Sequence, residues 1–179
     1  LSSDYVVYAN DVESYASSIC STILCPPNLD DNYIDTLKNN ISSLKSRLIE
    51  QESLEESIRL ERVYVKNQEL EKIIKLYEDH ETVWNSDNLT PKLLRSEDKY
   101  NLFIRYYAGS YFGIEQCVEI DSIIKSISNE NKEKQNFLYA SLFYAMNNTV
   151  LSRDGHMAQP LNFEKNSMRG FKLRDRSLH

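Results

Sequence analysis

Glycine and proline are scarce in this chain, four of each in 179 residues. So few breakers exclude an architecture rich in tight turns and favour long helices. No run approaches the roughly 18 uninterrupted apolar residues of a membrane span. Nor does the chain open on a basic segment followed by an apolar stretch and a cleavage site. A soluble, cytoplasmic protein without membrane association is therefore expected. Cysteine is sparse too: Cys20, Cys25 and Cys117 are odd in number and lack metal-ligand spacing, which fits reduced thiols and no bound metal. Catalytic signatures are missing as well, with no GxSxG, HExxH, GxxxxGK[ST] or GxGxxG anywhere. Of the three histidines, only His156 lies in a loop beside glycine and small residues.

Hydrophobic residues make up 41% of the chain, with twelve tyrosines, enough for one core of ordinary size. The net charge of −6 is uneven. Residues 151–179 hold six basic residues (Arg153, Lys165, Arg169, Lys172, Arg174, Arg176) against three acidic ones. Such a basic end can meet phosphate or can be a solvated tail.

Tyr5 to Ala9 is a β-branched and aromatic run of strand type that stops on Asn10 and Asp11. A helix is expected from Val12 to Leu24, halted by "CPPN" at 25–28. Asp30 or Asp31 can cap the next helix, where Ile34, Leu37, Ile41, Leu44 and Leu48 form a coiled-coil type seam. No glycine or proline interrupts residues 28–90. That stretch reads as one long helix with a stutter or, preferably, as two helices folded back on each other. Its charged faces read as solvated surface.

A further helix is expected from Pro91 to Tyr107, followed by "YYAGSYFG", which holds half of the chain's glycines within five residues. Something there needs backbone freedom or a close approach. Apolar stripes then predict a helix from Gly113 to Ile127, with Glu115, Glu119 and Ser122 largely on its other faces, and another from about Lys132 to Leu151. Beyond lies a loop, "SRDGHMAQP", and a polar, basic end without clear periodicity.

Two stretches carry a family likeness. "YYAGSYFGIEQCVEIDSIIKSI" (106–127) and "LYASLFYAMNNTVLSRDGHMAQPL" (138–161) resemble a subgroup of the S-adenosylmethionine-dependent DNA adenine-N6 methyltransferases of restriction-modification systems. That subgroup has a "YF...Q...IDSIR.AI" segment and, after another helix, a "GHFAQP" loop. Here they read Tyr111-Phe112, Gln116, Ile120-Asp121-Ser122-Ile123 and Gly155-His156-Met157-Ala158-Gln159-Pro160.

The resemblance implies an α/β Rossmann-like methyltransferase fragment, predominantly α, with one N-terminal strand followed by a large helical insert. Residues 1–29 would be a strand–helix piece of the cofactor-binding part, 30–107 the insert, and 108–179 a helical segment carrying the GHMAQP loop and the basic end. S-adenosylmethionine is the implied cofactor and double-stranded DNA the implied partner. Asp11 would accept hydrogen bonds from the cofactor's ribose hydroxyls, with Asn10 beside it. Tyr111, Phe112, Gly155, His156, Gln159, Arg169, Arg174 and Arg176 would face the DNA.

Other roles stand open for several of these residues: a helix cap for Asp11, core packing for Tyr111 and Phe112, capping or solvation for Gln116 and Asp121. The family's FxGxG cofactor loop and DPPY catalytic turn do not occur in this chain. It is therefore expected to be a portion or companion subunit of such an enzyme, with the missing motifs in further sequence or a second chain, and to be inactive alone. The alternative is a non-catalytic helical interaction protein whose Ile34–Leu48 seam pairs with a partner helix.

Overall fold

The computed structural model describes residues 14–85, 101–152 and 159–178. Eight helices are found among them: α1 (Ser14–Leu24), α2 (Asp31–Gln51), α3 (Glu55–Asn67), α4 (Leu70–Asn85), α5 (Leu102–Tyr106), α6 (Ile114–Ile127), α7 (Lys132–Thr149) and α8 (Ser167–Arg174). The described residues contain no sheet, only isolated bridges between Ala108 and Phe112 and between Ser152 and Pro160. This corrects the α/β Rossmann-like class, since the protein is helical throughout its described length. The physical reason lies in the periodicity. Even the isoleucine-rich "IEQCVEIDSIIKSI" places its apolar residues at helical spacing, and the packed stripe overrides the strand preference of its β-branched side chains. The expected strand over 5–9 lies outside the described residues.

α6 is the axis of the core. Ile114, Cys117, Val118, Ile120, Ile123 and Ile127 are buried along it, and α2, α3, α5 and α7 all pack against it. α2 begins at an N-cap, where the Asp30 carboxylate accepts the Tyr33 N–H at 2.7 Å. Leu37, Ile41 and Leu48 of its seam are buried in the same core cluster as α6. Lys45 ties the two helices with bonds of 2.6 and 2.7 Å to Glu115 and Glu119, while Arg62 of α3 reaches Glu115 from another side. Glu115 and Glu119 are thus interhelical clamps rather than solvated positions. α1 packs on α7, whose N-cap Asn131 accepts from the Lys134 N–H at 3.0 Å.

Between Asn28 and Asn85 the chain folds into three helices rather than one or two. The breaks fall at Ser53 and Gln68, with φ of 53° and 56°, the left-handed region that glycine usually occupies. Each closes its helix with the same pair of bonds. Leu54 N–H donates to Ile49 O at 2.9 Å and Ser53 N–H to Glu50 O at 3.2 Å; Glu69 N–H donates to Tyr64 O at 2.9 Å and Gln68 N–H to Val65 O at 3.2 Å. These are Schellman closures, and at the first one buried Leu54 follows the turn into the core beside the partly buried Ile49. The expected helix over 91–107 is described only at its end, as α5. The basic C-terminal segment, expected to lack regular structure, forms α8.

Candidate functional site

The stretch "YYAGSYFG" is a tight turn between α5 and α6, and its two glycines answer two different needs. Gly109 has φ +81°, and a Cβ there would lie 2.8 Å from Cβ and Cγ of Tyr77. Gly113 permits close approach instead, because a Cβ would lie 2.7 Å from Glu61 Oε1. As the residue entering α6, Gly113 has no side chain with which to cap it. Glu61 of α3 does that work from across the core: Oε1 accepts Ile114 N–H at 2.8 Å and Oε2 accepts Glu115 N–H at 3.0 Å. An anion at the helix N-terminus also meets the positive end of its dipole.

Glu61 is the hub of a buried polar network. Its Oε1 accepts the Tyr77 hydroxyl at 2.8 Å, and that oxygen accepts Arg174 Nε at 3.2 Å. The guanidinium spends its remaining donors on Tyr111 O at 3.2 Å and Ser110 O at 2.9 Å. Burial pushes the Glu61 carboxyl above its ordinary value, against the pull of the two N–H groups, the Tyr77 hydroxyl and Arg174. Burial likewise lifts the Tyr77 hydroxyl well above its usual range. Both effects are those of charge held away from water. The network locks α3, α4, α6 and α8 around the turn.

Gln116 and Asp121 have structural partners. Gln116 Oε1 accepts Gly113 N–H at 2.9 Å, and its amide donates to Leu173 O and Arg176 O at 2.6 and 2.8 Å. Asp121 caps α5, accepting the N–H groups of Phe103 and Ile104 at 3.1 and 3.0 Å. Burial raises its carboxyl to about 7 despite those donors.

The residues expected to face DNA divide sharply. Phe112 is fully buried, edge-on to Phe103. Tyr111 is half-buried with its ring against Tyr107, centroids 5.7 Å apart. Arg174 is only 7% exposed and belongs to the network above. Arg176 donates to Asn148 O at 2.7 Å, whereas Gln159 and Arg169 are exposed. Asn10, Asp11, Gly155 and His156 lie outside the described residues. The ends of the GHMAQP loop are nevertheless placed: Ser152 bridges to Pro160, Leu161 N–H donates to Leu151 O at 3.1 Å, and Leu151 N–H donates to Tyr111 O at 2.8 Å. The Tyr111 carbonyl thus receives bonds from both Leu151 and Arg174.

A cavity of about 500 Å³ beside this junction is walled by Tyr77, Phe163, Tyr106 and Gly109, with Asn162 and Ser110 among its polar groups. Among the described residues no group of three or more histidine, cysteine or acidic side chains could hold a metal ion, and no helix is long and apolar enough to cross a membrane.

Glu61 and Tyr77 were not singled out by sequence reasoning, yet Glu61 did leave a signal. It falls between Ile58 and Val65 at spacings of three and four, a carboxylate on the apolar stripe of α3, and all three are buried. Comparison with known protein families, with curated proteins and with solved structures finds no match.

Proposed function

We propose that this chain is a portion of a DNA methyltransferase that transfers a methyl group from S-adenosylmethionine to adenine N6, contributing a helical body that positions a DNA-facing loop. The observation that supports this reading is the hydrogen bond from Leu151 N–H to Tyr111 O. It joins the two stretches that carry the family likeness, which are distant in sequence, and seats the base of the GHMAQP loop on the YYAGSYFG turn. Shared motifs that served one site would be expected to meet in this way.

On this reading Asp11 accepts the ribose hydroxyls of the cofactor, with Asn10 fixing the turn beside it. Gly155, His156 and Gln159 approach the DNA, and Arg169 supplies charge toward its phosphates. Tyr111, Phe112 and Arg174 hold the turn rather than touch the substrate, since their contacts are inside the protein. The adenine is taken out of the duplex for the reaction, as chemistry on a base requires. Its catalytic turn and glycine loop come from further sequence or a second chain. The enzyme works in the cytoplasm, where the three thiols stay reduced. The rival reading, an interaction protein pairing through α2, loses its main support, because Leu37, Ile41 and Leu48 of that seam are already buried within the chain.

The coding DNA on either side gives the test. An FxGxG upstream and a DPPY downstream, in the same frame or an adjoining gene, are expected. Stop codons and unrelated genes at both ends would overturn the proposal.

A further inference from the structure

We propose that the cleft between α2, α5 and α6 is a phosphate-binding site formed by Arg47, Arg105 and Lys125. These three cations come from three helices distant in sequence and line one opening of about 260 Å³. That is smaller than the roughly 300–1,000 Å³ of pockets that take drug-sized ligands, and it suits a compact anion. Two carboxylates share the cleft, Glu52 and Asp121, so the cations outnumber the acids. Both acids also have inward partners: Asp121 accepts the N–H groups of Phe103 and Ile104, and Glu52 accepts the amide of Asn101. Burial holds the Asp121 carboxyl near 7, which removes about half of its charge at neutral pH.

The chemistry favours phosphate over other anions. Two guanidinium forks can each give paired donors to a tetrahedral oxyanion, and an ammonium adds a point charge. A locally positive cleft on a chain of net charge −6 concentrates anions at that place rather than over the whole surface. The site does not depend on the methyltransferase reading. Its phosphate could belong to a DNA backbone or to a free phosphate compound, and the same cations would recognise either.

The test is thermal unfolding at fixed ionic strength in phosphate and in acetate, for the wild type and for the double variant Arg47→Ala, Lys125→Ala. Arg47 is exposed and Lys125 half-buried, so the fold should survive; the single Arg47→Gln variant serves if the double variant does not. Phosphate about tenfold above its Kd should raise the wild-type Tm by roughly 3–6 °C and leave the variant unmoved. No rise, an equal rise in the variant, or an equal rise in acetate would overturn the site. A second arm measures binding to a short DNA duplex against salt. If the source is DNA, the variant's log–log salt slope should fall by about one for each backbone phosphate that the removed cations had neutralised. A wild-type slope retained by a variant that has lost its phosphate response would assign the cleft to a free phosphate compound. Failure of the wild type to bind duplex would count against the methyltransferase reading alone.

Discussion

At the scale of single residues, the fold keeps several charges where water cannot reach them, and two of those carboxyls are pushed in opposite directions. Glu115, held by Lys45 and Arg62, has its carboxyl lowered to about 2, from an ordinary 4.5. Its stabilisation is fully present above about 4.5 and is lost only as pH falls toward 2. Asp121 has the opposite sign, raised from 3.8 to about 7 by burial. Between those values the native state holds a proton that the unfolded chain has released. Raising the pH through that window therefore costs stability, by about 1.4 kcal/mol per unit. Burial lowers His80, whose contribution runs the other way, so the informative quantity is a difference between proteins. Asp121→Asn should narrow the stability gap to the wild type as pH rises from 5 to 7, read from urea midpoints. A gap that stays constant would mean that Asp121 does not titrate in this range.

At the scale of elements, the helix pair expected over residues 28–90 became three helices because left-handed closures formed without glycine. Ser53 and Gln68 are both exposed and both have positive φ. An L side chain in that conformation costs about 1–2 kcal/mol, while glycine's extra freedom in the unfolded chain costs about 0.5–1. Gln68→Gly should therefore stabilise the protein by about 0.5–1 kcal/mol and raise Tm by a few degrees. A lower Tm would show that the Gln68 side chain contributes more than its strain. These breaks were hard to read because the usual punctuation is absent. Periodicity did reveal where apolar faces lie, so Ser14–Leu24, Ile114–Ile127 and Lys132–Thr149 match the expected helices closely. α8 was obscured by its charge and by Arg174, which reads as a solvated cation but serves as a buried donor.

At the scale of the whole molecule, α6 organises the core and the YYAGSYFG turn organises the candidate site. The sequence flagged the turn through its clustered glycines, and each has a distinct physical cause in φ or in close approach. It could not reveal Glu61 as the cap of α6, since that hydrogen bond joins residues 53 positions apart. Nor could it reveal the phosphate cleft, whose cations lie on three separate helices. What periodicity cannot do is bring distant polar groups together; only the packed fold does.

The central claim is that this helical body belongs to an enzyme using S-adenosylmethionine. Calorimetric titration of the cofactor, with duplex DNA present, into the complete protein and its Asp11→Ala form tests it most directly. Losing hydrogen bonds to a charged acceptor should weaken binding by roughly tenfold to a hundredfold. The account predicts saturable binding by the wild type and that loss in the variant; absence of binding by the wild type would contradict it.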